Sequence, residues 1–133
     1  GSDVATSDVG QAVVNLGCQY VGNKYVYGGT DINNGIDCSA FAQYCWRQFG
    51  VNLPRTTREQ VKCGTAVGSL ADARPGDLIF YSHNGTDSGT YHVTIYMGDG
   101  KMVHASNSKP YPQGGIKISN VYGQPYKIRR VSN

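Results

Sequence analysis

Cys38 stands where a cysteine can act as a nucleophile. It follows Asp37 and begins the stretch CSAFAQYCWRQF (38–49), whose apolar residues recur at helical spacing. A helix N-terminus stabilises a thiolate, because free N–H groups and the positive end of the helix dipole face the sulfur. The position also suits an ordinary core cysteine at the end of a buried stripe, and this stretch taken alone favours that interpretation.

A nucleophilic cysteine needs a base, and the base needs a group that orients it. The predicted strands YHVTIYM (91–97) and KMVHAS (101–106) each carry one histidine, His92 and His104. A third, His83, is expected to be only a loop residue. One cysteine at a helix start followed by two histidines on strands is a more specific indication of a catalytic site than any of these residues alone.

The turn between these strands decides whether the two histidines meet. A two-residue loop (99–100) would put His104 on the opposite face of the sheet from His92. A three-residue loop (98–100), which Gly100 favours, makes the two imidazoles diagonal neighbours, roughly 7–8 Å apart by backbone position. The sequence therefore predicts the three-residue loop. The partners in this register are Met97 with Lys101, Thr94 with His104, and His92 with Ser106.

The first half of the chain has helical spacing. A first helix is predicted over 7–20, with Ser7 or Asp8 as N-cap, and the second over 38–49, with Phe41, Ala42, Cys45, Trp46 and Phe49 on its buried stripe. A short third helix is predicted over 54–61, where Thr56 and Glu59 have the spacing of a capping box. The stretch 25–37, rich in Gly, Asn and Asp, is predicted to be a shaped loop.

The second half has the pattern of short strands separated by turns. The predicted strands cover 77–81, 91–97, 101–106, 115–119 and 126–131. Helices followed by strands indicate an α+β domain, with the helices packed on one side of a mostly antiparallel sheet of five to six strands.

Composition indicates one domain over residues 1–133 and excludes several function classes. A net charge of +3 with scattered basic residues argues against a nucleic-acid partner, and no apolar run is long enough to span a membrane. The opening Gly1-Ser2 resembles the scar of a cleaved expression tag, so we expect the domain to come from a longer protein.

The four cysteines do not predict a metal site. Cys38 and Cys45 are about 10.5 Å apart along a helix, beyond the ~7 Å limit for a disulfide. Cys18, Cys45 and Cys63 can hold one bridge among them, although free thiols are favoured. No pair or cluster has zinc-site spacing, so we expect neither a metal nor a cofactor.

Five motifs, taken together, resemble the NlpC family of bacterial cell-wall cysteine peptidases. They are YVYGG, DCSAF, LPRTT..Q, RPGDLIFY and HVTIYMGDGKMVHAS, in the family's order and spacing, and the resemblance runs from about Val9 to Val131. It implies a papain-like fold in which a helix-start cysteine faces a sheet that carries the histidines.

The resemblance also implies roles for individual residues. Cys38 takes the place of the nucleophile, His92 of the general base, and His104 of the residue that orients the base. Tyr25 takes the place of the tyrosine that assists the oxyanion. The expected substrate-binding residues are Asp37, Ser39, Tyr27 and Arg55, and for Arg55 a structural role is equally open.

The resemblance further implies an activity and a location. The expected substrate is the stem peptide of peptidoglycan, cut between γ-D-glutamate and the third residue, which is lysine or diaminopimelate. The expected protein is secreted or attached to the cell surface, with a wall-targeting or second hydrolase domain elsewhere in a longer chain. The alternatives are a CHAP-like cysteine amidase or cross-bridge endopeptidase, an acyltransferase on the same fold, and a wall-binding module without catalysis.

Overall fold

The computed structural model describes residues 4–132, and side chains from residue 9 onward. The helices are α1 (Val4–Cys18), α2 (Cys38–Arg47) and α3 (Thr57–Gln60). The strands are β1 (Thr30–Asp31), β2 (Gly35–Ile36), β3 (Thr65–Val67), β4 (Leu78–Ser82), β5 (Thr90–Gly98), β6 (Lys101–Ser106), β7 (Gly115–Asn120) and β8 (Lys127–Arg130). Short 3-10 turns cover Leu70–Asp72 and Asp87–Gly89. The predicted tag scar, Gly1-Ser2, lies outside the described residues.

The main sheet confirms the predicted α+β class. Its strand order is β3-β8-β4-β5-β6-β7, and all neighbouring strands are antiparallel. The five predicted strands are present, and the sixth, β3, was not predicted. Because β3 is a three-residue edge strand with a mostly exposed pattern, it lacks the apolar alternation that identifies a strand in a sequence.

Two apolar clusters cover the two faces of this sheet. The larger cluster joins α1 and α2 to one face, and includes Phe41 and Trp46 from α2. The indole N–H of the buried Trp46 donates to the carbonyl of Gly76 at 3.2 Å, so its polar group is satisfied. A smaller cluster on the other face contains Ile79, Tyr81, Tyr96, Met102 and Ile128.

The predicted bounds of α1 are wrong at both ends. The helix begins at Val4, so Ser7 and Asp8 lie inside it and neither is the N-cap. It ends at Cys18, because the chain then passes through turns to Gly22, whose φ of 102° no continuing helix can hold. Tyr20 therefore lies beyond the helix, where its hydroxyl lies 3.0 Å from that of Tyr44.

The helix α2 begins where the sequence predicts and ends sooner, whereas α3 covers only Thr57–Gln60 of the predicted 54–61. The helix α2 ends at Arg47, so Phe49 leaves the stripe and is 39% exposed. Thr56 is the N-cap of α3, but its hydroxyl donates to the Glu59 carboxylate at 2.9 Å and makes no bond to the helix backbone. The predicted loop before α2 contains the two-residue strands β1 and β2.

The hairpin of β5 and β6 has the predicted register with a different turn. Ile95 pairs with Val103 and Tyr96 with Met102, as the sequence predicts. The predicted pairing of Met97 with Lys101 is wrong. Gly98 pairs with Lys101, and the loop is Asp99-Gly100, both at positive φ (54° and 74°), as a tight hairpin turn requires. The strand β5 absorbs the extra residue as a bulge at position 97, which preserves the alternation upstream of it.

No helix within residues 4–132 combines the length and apolar character needed to cross a membrane.

Candidate active site

The start of α2 is held by Asp37, whose carboxylate is the N-cap of the helix. Its Oδ1 accepts from the backbone N–H of Ala40 at 2.8 Å and from the Ser39 hydroxyl at 3.2 Å. Arg55 donates to both carboxylate oxygens, at 3.1 and 2.8 Å, and its Nη1 also donates to Ser39 Oγ at 2.8 Å. Three of the predicted substrate-binding residues are therefore bonded to one another, and together they fix the first turn of α2.

Gln60 also stabilises the first turn of α2, from the buried side of that turn. Its side chain is fully buried, and its Nε2 donates to the carbonyls of Ser39 at 3.0 Å and Pro54 at 2.8 Å. This contact ties the residue after Cys38 to the segment that carries Arg55. The motif LPRTT..Q is thus explained by the support it gives to the helix start.

Cys38 is the first residue of α2 and is 7% exposed. Burial raises the pKa of its thiol to about 11, although the N–H groups of Val93, Ser39 and Cys38 itself favour the thiolate. The contact with Val93 places the sulfur beside β5, one residue after His92. No hydrogen bond links the thiol to His92 within the described part of the chain, and such bonds often form only once substrate is bound.

The two histidines meet as the predicted register requires. His92 Nε2 lies 2.7 Å from His104 Nδ1, in a buried contact. Because Nε2 of His92 is occupied by this bond, its Nδ1 is the nitrogen left to serve a substrate or a thiol. The far nitrogen of His104, Nε2, lies 2.9 Å from the Ser119 hydroxyl.

Burial keeps both imidazoles neutral. It lowers the pKa of His92 to about 4 and that of His104 to about 3, and the positive charge of Lys117 adds to both shifts. Tyr81 and Tyr91 lie near the His92 ring, with centroids 6.3 and 6.5 Å away. Since burial also disfavours the Cys38 thiolate, neither Cys38 nor His92 ionises readily alone, and proton transfer between them creates both charges together.

Tyr25 lies at the edge of the helix start. Burial raises the pKa of its hydroxyl to about 12, with further contributions from Cys38 and Asp37. The phenol therefore stays protonated at neutral pH and can donate a hydrogen bond. This is the property that the predicted role at an oxyanion needs.

One cleft of about 610 Å³ brings the predicted residues together. It is lined by Tyr25, Tyr27, Asp37, Cys38, Ser39 and Arg55, along with residues of α3 and of the turn before β5. His92 and His104 are buried and do not line the cleft, but Tyr91, which does, lies 6.5 Å from His92 between ring centroids. Tyr27 is 87% exposed, so its ring is free to contact a ligand.

Two residues of this site, Ser119 and His83, were not predicted from the sequence. Ser119 completes the chain from His92 through His104, and the only signal for it was its place on a strand that pairs with the strand of His104. His83 does lie in a loop, as predicted, but its ring stacks on Tyr91 at 4.0 Å and lines the cleft. A polar loop of this kind carries no spacing that would place a side chain in a cleft.

The described residues contain no group of three or more His, Cys, Asp or Glu side chains able to hold a metal ion. The four cysteines are free thiols, so none of the bridges considered from the sequence is present.

Comparison with known proteins gives consistent matches. The family model described as the NlpC/P60 family matches residues 22–132. The chain is 38% identical over 128 residues to the Escherichia coli K12 protein named murein DD-endopeptidase MepS/murein LD-carboxypeptidase, covering 96% of this chain and 62% of that protein. It is 33% identical over 97 residues to the Bacillus cereus gamma-D-glutamyl-L-lysine dipeptidyl-peptidase, covering 73% of this chain and 28% of that protein.

A solved structure shows the same fold. The NlpC/p60 domain of the peptidoglycan hydrolase SagA superposes with a TM-score of 0.76 at 35% identity, covering 90% of this chain and 97% of that one. The match confirms the papain-like arrangement of helices on an antiparallel sheet.

Proposed function

Because this chain belongs to the NlpC/P60 family, we propose that it is a cysteine peptidase that hydrolyses peptidoglycan stem peptides between γ-D-glutamate and the third residue. The observation that carries the proposal is the position of Cys38, at the N-terminus of α2 in the cleft and beside the strand that holds the His92–His104 pair. An ordinary core thiol would not need a cleft, a base and an orienting residue around it.

The first step is attack of the Cys38 sulfur on the amide carbonyl carbon. The thiol proton passes to Nδ1 of His92 as the sulfur–carbon bond forms, so the two charges arise together. Negative charge then develops on the carbonyl oxygen. Backbone N–H groups at the start of α2 and the protonated Tyr25 hydroxyl are placed to stabilise it.

The second step breaks the carbon–nitrogen bond. His92 gives its proton to the leaving amine, and the acyl group stays on the Cys38 sulfur as a thioester. Water, deprotonated by His92, then attacks the thioester, the carbon–sulfur bond breaks to release the acid, and His92 returns the proton to the Cys38 sulfur. His104 accepts from Nε2 of His92 throughout, and because it is neutral it acts mainly by fixing the tautomer and orientation of that ring.

The charge of the cleft supports a γ-glutamyl substrate. A γ-linked glutamate keeps a free α-carboxylate close to the bond that is cut. The cleft is lined by Arg55 and Arg58, and its one carboxylate, Asp37, already forms an ion pair with Arg55. The net positive charge therefore suits an anionic acyl part. The Bacillus cereus relative is named for the γ-D-glutamyl bond.

The Escherichia coli relative supports a second candidate. That protein is named as a murein DD-endopeptidase, and it matches 96% of this chain. The second candidate is therefore cleavage of the cross-link between two stem peptides. An amidase or acyl transfer reaction remains an alternative outcome of the same assay.

Product masses separate these candidates. Purified peptidoglycan is incubated with the protein and with Cys38→Ala, and the soluble fragments are analysed by mass spectrometry. Cys63→Ala is the matched control, because Cys63 is a half-buried thiol outside the cleft. Glycan fragments that carry only L-Ala-D-Glu, formed by the parent and the control, support the proposal. Intact uncrosslinked stems favour the second candidate, and no product from folded parent protein excludes both.

The proposed substrate also implies a location. Peptidoglycan lies outside the cytoplasmic membrane, so we propose that the protein acts as a secreted or surface-attached enzyme. Direct contact of Tyr27, Arg55, Ser39 and Asp37 with the stem peptide belongs to the same proposal.

A further inference from the structure

A second pocket adjoins the active-site cleft at the ends of β6 and β7. This β6–β7 pocket has a volume of about 300 Å³ and shares Tyr25 with the cleft. Its other lining residues are Asn107, Ser108, Lys109, Pro110, Tyr111, Gly114 and Gly115. A peptide that crosses the nucleophile beside Tyr25 can therefore occupy the cleft at one end and this pocket at the other.

Three lysines surround the β6–β7 pocket. Lys109 lines it directly, Lys117 Nζ lies 3.4 Å from the hydroxyl of Ser108, and Lys24 Nζ lies 5.6 Å from the centroid of the Tyr111 ring. No lining residue is acidic. Within residues 4–132, the carboxylates that form ion pairs do so with Arg55, Lys127 and Arg130, and none pairs with these three lysines. The pocket thus offers positive charge that no carboxylate of the described chain neutralises.

The pocket lies on the histidine side of the active site. In the β6–β7 pairing, Lys117 lies opposite His104, and Gly115 opposite Ser106. Lys117 therefore lies one strand away from His104, which contacts His92, the residue that must protonate the leaving amine. The part of the substrate that begins with that amine is therefore the part that reaches this pocket.

We propose that the β6–β7 pocket binds a carboxylate of the leaving part, and that the enzyme therefore prefers stem peptides with diaminopimelate at the third position over those with lysine. The inference rests on the proposed function. A diaminopimelate side chain ends in a carboxylate beside its amine, whereas a lysine side chain ends in an ammonium group alone. The three lysines around the pocket attract the carboxylate of diaminopimelate and repel the lone ammonium group of lysine.

The test compares four N-acetylated tripeptides of sequence L-Ala-γ-D-Glu-X. X is diaminopimelate or lysine, and each peptide has either a free or an amidated C-terminus. We expect roughly tenfold higher kcat/KM for diaminopimelate in both C-terminal forms, since several partly exposed charge contacts together give about this factor. Amidation separates the side-chain carboxylate from the terminal one, which has the same chemistry.

Charge reversal in the pocket gives the second arm. The double substitution Lys24→Glu and Lys109→Glu should abolish or reverse the preference. Lys101→Glu is the matched control, because Lys101 lies at the opposite end of β6, where it bonds Asn120. The control should keep the parent preference.

Several outcomes would overturn the inference. Equal cleavage of both third residues, or a preference that survives the double charge reversal, contradicts a carboxylate site in this pocket. A preference that depends only on the free C-terminus contradicts the diaminopimelate assignment. If no peptide is cut, the proposed function fails for these substrates. Calorimetric binding of the same peptides to Cys38→Ala then tests the pocket separately, and equal affinity for both third residues would refute it.

Discussion

His92 Nε2 and His104 Nδ1 lie 2.7 Å apart, and this contact determines which atoms of the site can react. Nε2 of His92 holds the ring in position through this contact, and Nδ1 is left free for proton transfer. Ser119 extends the chain by holding the far nitrogen of His104 at 2.9 Å. The three side chains form a line from the cleft wall to β7, and only the histidine nearest the cleft needs to touch substrate.

Ser119→Ala should lower kcat with little change in KM. The substitution leaves Nε2 of His104 without its partner in a buried site, which costs about 1–3 kcal/mol and lets the ring change tautomer. Ser119→Thr keeps the hydroxyl and should restore most of the rate. Asn120→Ala, the next residue on β7, is the control in steady-state assays. A rise in KM alone, or no rescue by threonine, would argue against positioning through His104.

Two substitutions at Asp37 separate its capping role from its ion pair with Arg55. Asp37→Asn keeps an oxygen that can cap α2 but loses the charge, and should lower stability by less than 1 kcal/mol because Arg55 is partly exposed. Asp37→Ala loses both contacts and should cost about 1–2 kcal/mol in urea unfolding.

Activity of the same two variants gives the second readout. Asp37→Asn should keep most of the activity if the cap fixes Cys38, and Asp37→Ala should lose most of it. Equal loss of activity in both variants would show that the negative charge itself is needed.

Acid should destabilise the fold through the two buried histidines. The folded pKa values, about 4 for His92 and about 3 for His104, lie below the ordinary value of 6.5. The unfolded state therefore binds protons first as pH falls, so stability is fully present above pH 6.5 and is lost between there and about pH 4. Each pKa unit of difference corresponds to about 1.4 kcal/mol.

Thermal unfolding between pH 7 and pH 4 measures this effect. His92→Asn and His104→Asn should each flatten the dependence of Tm on pH, even where they lower Tm overall. His83→Asn is the control, because His83 is an exposed loop residue. A slope that neither buried substitution changes would contradict the assignment of neutral, buried imidazoles.

Reaction of the Cys38 thiol with iodoacetamide should depend on His92. In the parent, proton transfer to His92 should give a measurable rate at neutral pH. In His92→Ala the thiol has no acceptor, and burial holds its pKa near 11, so the rate should fall at pH 7 and rise steadily with pH.

Peptide mapping distinguishes Cys38 from the other thiols. Cys63, which lies outside the cleft, should react at the same rate in both proteins. An unchanged rate at Cys38 in His92→Ala would contradict the role of His92 as base.

The pairing of the two histidines could be predicted from the sequence, but the turn that joins their strands could not. Side-chain alternation within each strand, combined with the predicted pairing register, placed His92 and His104 on one face. The turn was wrong, since the choice between a two-residue loop with a bulge and a three-residue loop depends on backbone geometry around Gly98. Both turns give the same register upstream, so the histidine pair was still predicted correctly.

The long-range side-chain contacts of the site residues could not be predicted from the sequence. The sequence left the role of Arg55 open between structure and substrate, and the structure shows it bonded to Asp37 and Ser39 at the start of α2, a long-range contact that no local pattern encodes. Ser119 and the lysines around the β6–β7 pocket come from separate strands and loops, and only the folded chain brings them together.

The most direct test of the central claim is to find the acyl group on Cys38. The protein is mixed with an N-acetylated L-Ala-γ-D-Glu-diaminopimelate peptide and quenched in acid within its first turnovers, and proteolytic fragments are analysed by mass spectrometry. The account predicts an added mass of N-acetyl-L-Ala-γ-D-Glu on the fragment that contains Cys38, and none on that fragment from Cys38→Ala. Product formation with no adduct on Cys38, or equal product formation by Cys38→Ala, would contradict it.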